Sequence, residues 1–304
     1  MADPSPGACL PSFIILGAQK SASSFLHLCL ADHPRIFMPK GEIAFFESPD
    51  YERSSVNDLA SLLRGHESQI CGIRRPSYLA MHEVASRLKK HVPQAKFFVV
   101  LRDPVERAVS AYYHYTATGF IPVRSIGQGL RHIMDGSYAK KYLRSSEILE
   151  FGLYGKHLSA YLELFGRQAF SIALHEDIVR DPCRALRAAY EFLGVSSDFV
   201  SARLGSRPQA SVYSLPRLWS RQVISPLVYS YNSDRTRLWK KQPTVLRNFL
   251  VRAYQALDTK VLAHWFPSIP PALDTELSEG LHAFYRSDIC RLESLINRDL
   301  SAWK

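Results

Sequence analysis

Cysteine is scarce in this 304-residue chain: there are five, an odd number, with no C-x-x-C pair. That excludes a disulfide framework or a zinc knot as the organising device, and the five read as reduced thiols of an intracellular protein. Long apolar runs are missing too. None reaches the ~18–20 residues that a membrane helix needs. The Pro-rich start MADPSPGACLPS is too short for a signal peptide, so a soluble, cytoplasmic protein is expected. Glycine is thin where a dinucleotide fingerprint would need it. Gly17 stands alone between Gly7 and Gly41, and G-x-G-x-x-G fails. The eleven histidines form no H-E-x-x-H or similar cluster, so no metal is implied. Acidic side chains are outnumbered 28 to 38, leaving a net charge of +10. The ligands or partners expected of such a chain are anionic: nucleic acid, an acidic glycan, a nucleotide or a membrane surface. With 46% apolar residues, no repeat and no low-complexity linker, residues 1–304 are expected to form one domain.

What is present begins with FIILGAQKSASSFLHLCL, from Phe13 to Leu30. The apolar run Phe13–Leu16 predicts a buried strand ending at Gly17, and helical spacing starts near Ser23. A strand, a tight loop and a helix N-terminus gather backbone N–H groups and a positive dipole end around an anion. Gln19 and Lys20 sit in that loop. Ser21, Ser23 and Ser24 add hydroxyls without bulk, Ala22 permits close approach, and Lys20 brings a full charge. A Walker loop is poorly matched. Counting from Gly17, Ala22 stands where the second Gly belongs and Ser23 where the Lys belongs. A magnesium-dependent P-loop kinase is therefore the enzyme alternative, and a non-enzymatic polyanion binder the other.

The second informative stretch is KFFVVLRDPVERAVSAYYHY, residues 96–115. Its apolar run predicts a central parallel strand with Arg102 at the carboxyl end. Asp103 and Pro104 suit a helix start, and Ser110 follows on that helix. Arg102 and Ser110 can then serve one anion beyond the strand ends, or Arg102 can simply pair with Asp103 or Glu106. Glu42, in GEIAFFES, precedes an aromatic knot and is either a surface residue or a base beside a cleft. Arg74 and Arg75, held extended by Pro76, lie at a strand end as solvated charges or as sulfate or phosphate ligands. Helices are expected at about Leu79–His91, Tyr138–Glu150, Asp274–Tyr285 and Asp288–Leu300, with another strand at 170–174. Repeated strand–helix units predict an α/β fold with a central parallel sheet flanked by helices. From about 205 to 272 the chain turns basic and aromatic. Within it, 243–257 shows helical spacing, with Val245, Leu246, Phe249, Leu250, Tyr254 and Leu257 on one side. A lid, an acceptor flap, a dimer contact, a membrane-surface helix and a plainly packed excursion all fit this segment.

Taken together, GAQKSASSFLHLCL and VVLRDPVERAVSAYYHY resemble the 5′-phosphosulfate and 3′-phosphate motifs of sulfotransferases that use 3′-phosphoadenosine 5′-phosphosulfate (PAPS). The closest pattern is the heparan-sulfate branch and its bacterial relatives, which carry a Glu before paired Phe (here Glu42) and a basic residue before Pro-x-Tyr (here Arg74). The likeness covers roughly residues 12–213 and 273–303, and 214–272 match nothing in it. It departs in the KSASS loop, where a Gly pair and Thr are usual, and in having Arg74 for the usual Lys. On this reading the chain is expected to lack the disulfide loop of the animal heparan enzymes and the membrane anchor of Golgi members. The resemblance implies a P-loop-like sulfotransferase fold and sulfuryl transfer from PAPS to a hydroxyl or amine, with 3′-phosphoadenosine 5′-phosphate (PAP) as product, and the departures favour a small-molecule acceptor, such as a natural product or a sugar, over a glycosaminoglycan. It implies Glu42 as base, Lys20 and Arg74 as catalytic cations, and Gln19 to Ser24, Arg102, Ser110 and Tyr213 as cofactor contacts. His114 and His27 are next in line as base. A monomer or homodimer is expected, without nucleic acid.

Overall fold

A computed structural model describes residues 9–205 and 211–304. The first part of the Pro-rich start and residues 206–210 of the late segment lie outside the described residues. In chain order the elements are β1 (Phe13–Gly17), α1 (Ser23–Ala31), β2 (Ile36–Phe37), α2 (Val56–Ser61), β3 (Ile70–Arg74), α3 (His82–His91), β4 (Lys96–Leu101) and α4 (Pro104–Ala117). They continue with α5 (Ile126–Met134), α6 (Glu147–Glu150), α7 (Tyr154–Phe165), β5 (Phe170–Leu174), α8 (His175–Arg180), α9 (Pro182–Leu193) and α10 (Leu215–Val228). The chain closes with β6 (Tyr229–Tyr231), β7 (Leu238–Lys240), α11 (Val245–Leu257), α12 (Ala263–Trp265) and α13 (Thr275–Ile296).

The described residues fall into two compact units, one of 9–103, 153–205 and 285–304, the other of 104–152 and 211–284. The first holds a parallel sheet in the order β2-β3-β1-β4-β5. Every residue of β1 is buried, as a strand covered on both faces requires. On one face Phe13, Ile15, Phe98 and Val100 pack with Leu26 of α1 and Tyr190 of α9. On the other, Phe97 meets Tyr161 and Phe165 of α7 edge-on, at 6.3 and 4.6 Å between ring centroids. Gly72 lets β3 lie against β1, since a Cβ there would meet the Phe13 ring at 2.1 Å. Parallel order, apolar strands and helices on both faces are the α/β architecture expected from sequence.

The second unit is helical, with α4, α5, α6, α10 and α11 and the small antiparallel pair β6–β7. A buried ion pair joins α10 to the residue that follows α11. Arg217 donates from Nε and Nη2 to the two carboxylate oxygens of Asp258, at 2.7 and 3.0 Å.

Three sequence expectations change. The helix foreseen at Tyr138–Glu150 shrinks to Glu147–Glu150. Ser145 and Ser146 precede it, a residue type that favours turns over helix interiors. The two closing helices are one, Thr275–Ile296. Asp288, read as a fresh start, instead accepts from the N–H groups of Gly155 and Lys156, both at 2.7 Å. It thus caps α7 rather than a helix of its own. And Tyr254 leaves its apolar companions on α11: its hydroxyl lies 2.8 Å from that of Ser220 on α10.

Candidate active site

Three neighbouring strands deliver the first unit's charged residues from their carboxyl ends: β1 leads to Lys20, β3 ends at Arg74, and β4 is followed by Arg102. That end of an open α/β sheet is where the strand order leaves a crevice for ligands. Ala18 N–H still donates to Val100 O at 2.7 Å, after which the chain turns out of the sheet. Gly17 is required there, because a Cβ would come within 2.9 Å of Pro76 O.

The loop that follows holds two non-glycine residues in the left-handed region, Lys20 at φ 67° and Ala22 at φ 70°. Such backbone costs energy and collects at ligand-binding turns. It leads into α1, which has no side-chain cap at its N-terminus. Ser21 is completely buried, and its hydroxyl has no hydrogen-bond partner among the described residues. Burial, and then the charge of Arg102, pull Lys20 down from the usual lysine range to about 8, with Glu42 opposing. Arg102 Nη1 reaches Lys20 O at 3.5 Å. Two crowded cations, an orphaned hydroxyl and open helical N–H groups fit a phosphosulfate group.

Glu42 sits in an irregular stretch that Tyr78 fastens to the sheet. The Tyr78 hydroxyl accepts from Phe46 N–H at 3.0 Å and donates to Ile43 O at 2.6 Å, while Ile43 N–H donates to Arg74 O at 3.0 Å. Two arginines then hold the carboxylate. Arg75 Nη1 donates to Oε2 at 2.7 Å and Arg74 Nη2 lies 3.4 Å from Oε1. Arg74 also donates from Nη1 to Ser24 Oγ at 2.7 Å, tying Glu42 to the first turn of α1. Arg75 is fixed in turn by Glu47, whose other oxygen accepts from Ser77 Oγ at 2.6 Å.

Gln19, Lys20, Ser21, Ala22, Ser23, Ser24, Glu42, Arg74 and Arg102 therefore all belong to the first unit. Ser110 and Tyr213 belong to the second. There Ser110 is buried on α4, with its hydroxyl 3.0 Å from that of Ser211, and Tyr213 packs edge-on against Tyr113, 4.9 Å between centroids. His27 is buried on α1, and burial followed by the charge of Arg74 lowers it to about 4, so the ring is neutral near pH 7. Sequence reasoning passed over Glu47 and Ser77 and left Arg75 open. The signal was available: a second carboxylate five residues after Glu42 matches a second arginine after Arg74.

A family model described as the sulfotransferase domain matches residues 10–209. Mouse heparan sulfate glucosamine 3-O-sulfotransferase 3A1 is 29% identical over 193 residues, covering 61% of this chain and 46% of that protein. Human bifunctional heparan sulfate N-deacetylase/N-sulfotransferase 2 is 27% identical over 197 residues, 62% of this chain and 22% of that protein. The matched stretch thus spans less than half the length of these curated relatives. Among solved structures, a sulfotransferase from Alicyclobacillus acidocaldarius is 26% identical with a TM-score of 0.67, covering 97% of this chain and 99% of that one. With the family model spanning well over half of its residues, this chain belongs to the sulfotransferase domain family.

Proposed function

We propose that this chain transfers a sulfuryl group from PAPS to a hydroxyl or amine of a small-molecule acceptor. The donor, when bound, supplies the activated sulfuryl group and leaves as PAP. One observation carries the reading: the carboxylate of Glu42 is linked through Arg74 to Ser24, on the helix whose uncapped start adjoins Lys20 and Ser21. A base and an anion cradle share one scaffold.

Lys20 and the N–H groups from Ser21 to Ser24 hold the 5′-phosphosulfate, and Lys20 offsets negative charge gathering on the leaving oxygen. Glu42 takes the acceptor's proton. At 37% exposure its side chain is within an acceptor's reach, while Arg75 fixes its orientation. Arg74 faces the transferred group. Arg102, and Ser110 on the following helix, bind the 3′-phosphate, with Tyr213 as a further contact. Gln19 contributes from the same loop as Lys20. The chemistry asked of the protein is positioning and charge stabilisation. Among the described residues no helix is long and apolar enough to cross a membrane. The five cysteines include no disulfide, which suits work in the reducing cytoplasm.

The test is titration calorimetry with adenosine 3′,5′-bisphosphate, followed by mass spectrometry of metabolite pools incubated with isotopically labelled PAPS. Binding and labelled products are expected. A chain that binds ATP with magnesium and ignores the bisphosphate refutes the proposal.

A further inference from the structure

The late segment is left over by the proposed chemistry, and it is built inside out. On α11, Tyr254 faces α10, and so does Asp258 just beyond the helix end, through a hydroxyl contact and the buried ion pair with Arg217. The side turned to solvent is apolar. At about 100° per residue, Val245, Leu246, Phe249, Leu250 and Leu257 fall within an arc of about 140°. None of the α11 side chains is buried, and Phe249 is 67% exposed. The pattern continues through a wide helical turn to Val261 and Trp265, the latter 73% exposed. Helical residues 245–265 thus present an apolar stripe on the order of 30 Å long. A soluble helix ordinarily buries such a stripe.

Charge decides what covers it. Residues 214–272 hold nine Lys or Arg and two Asp, so this fifth of the chain carries +7 of the total +10. Both acids are engaged: Asp258 by Arg217 and Arg221, Asp234 by the N–H and hydroxyl of Thr236. Arg252 and Lys260 are exposed on the helical run itself. Three of the four tryptophans, Trp219, Trp239 and Trp265, lie here and are exposed. A second copy would set +7 against +7. A nucleic acid would use the aromatics for stacking but leave Val245, Leu246, Leu250 and Val261 in water. An anionic lipid surface satisfies all three features, taking aliphatic side chains below its headgroups, tryptophans at their level and basic groups against its charge.

We infer that the solvent-facing side of helical residues 245–265 docks on an anionic phospholipid membrane, lying in the interface without crossing it. Each basic side chain near such a surface strengthens partitioning by about fivefold.

The experiment uses the full chain in co-sedimentation with vesicles of phosphatidylcholine alone or with about 30% phosphatidylserine, and expects at least tenfold tighter binding to the latter, weakened by salt. Phe249→Ser with Trp265→Ser should cut binding about tenfold or more. Arg252→Glu with Lys260→Glu should erase the preference for anionic lipid. Circular dichroism and thermal unfolding check that these surface variants fold. For the unaltered chain, vesicles should blue-shift tryptophan emission, and brominated lipid should quench it. Absence of vesicle binding, or binding unchanged in both double variants, overturns the inference. So does a dimer, seen by light scattering, that Phe249→Ser with Trp265→Ser converts to monomer. Retention on heparin without vesicle binding has the same consequence.

Discussion

Lys20 gives the sharpest handle on the anion cradle, because its proton is already loosened. Burial and Arg102 lower it to about 8 from 10.5. A lysine weakened in the folded state costs stability while it is charged. That cost is complete below pH 8, about 3 kcal/mol for a shift of this size, and fades as pH climbs toward the unfolded value. The ligand-free protein should therefore gain stability from this residue between pH 8 and 10.5. A bound anion reverses the balance by holding the proton in place. Above pH 7, where the ligand's phosphates are fully ionised, affinity for adenosine 3′,5′-bisphosphate should change by less than about twofold up to pH 8 and fall about tenfold from pH 7 to pH 9. Binding should take up about half a proton at pH 8 and about 0.9 at pH 9. Calorimetry in buffers of different ionisation enthalpy measures that uptake. Lys20→Arg keeps a charge that does not titrate in this range, and its affinity should show no such slope. A flat wild-type profile, or an equal slope in Lys20→Arg, refutes the reasoning.

Glu42→Gln should lower turnover by about 10²–10⁴-fold while bisphosphate affinity changes little. Single-turnover rates alongside calorimetry check this, and near-normal turnover would move the base elsewhere, to His114 or His27. Ala22→Gly should relieve the left-handed strain and raise stability by about 1 kcal/mol, read as a higher thermal midpoint, while the looser loop weakens bisphosphate binding. Asp258→Ala leaves Arg217 buried without its counter-charge and should cost about 3–5 kcal/mol in urea unfolding.

The parallel sheet was legible because its strands are continuous apolar runs, a signal local to Phe13–Leu16 and Phe97–Leu101. Lys20 and Arg102 were legible for a related reason: residues just past such runs are delivered to the carboxyl edge whatever the helices do. The closing helices were not. A capping aspartate looks the same in sequence whether it caps its own helix or another, and Asp288 serves Gly155 and Lys156, more than a hundred residues earlier.

The arginine clamp on Glu42 was half hidden for the same cause. Arg74 and Arg75 are adjacent in an extended segment, so their side chains leave on opposite sides of the backbone. Only the fold shows that both return to a single carboxylate, because Tyr78 pulls residues 43–46 against the end of β3. The loop departures from the usual Gly pair acquire a physical meaning as well. Lys20 and Ala22 take the left-handed backbone that glycine would take freely, and their Cβ atoms leave the loop less conformational freedom than glycines would. On the proposed reading, Lys20 meets the 5′ end of the donor with a charge that burial and Arg102 have made costly to keep. The apolar, basic outer face of α11 is a separate device, since neither Lys20 nor Glu42 lies on it.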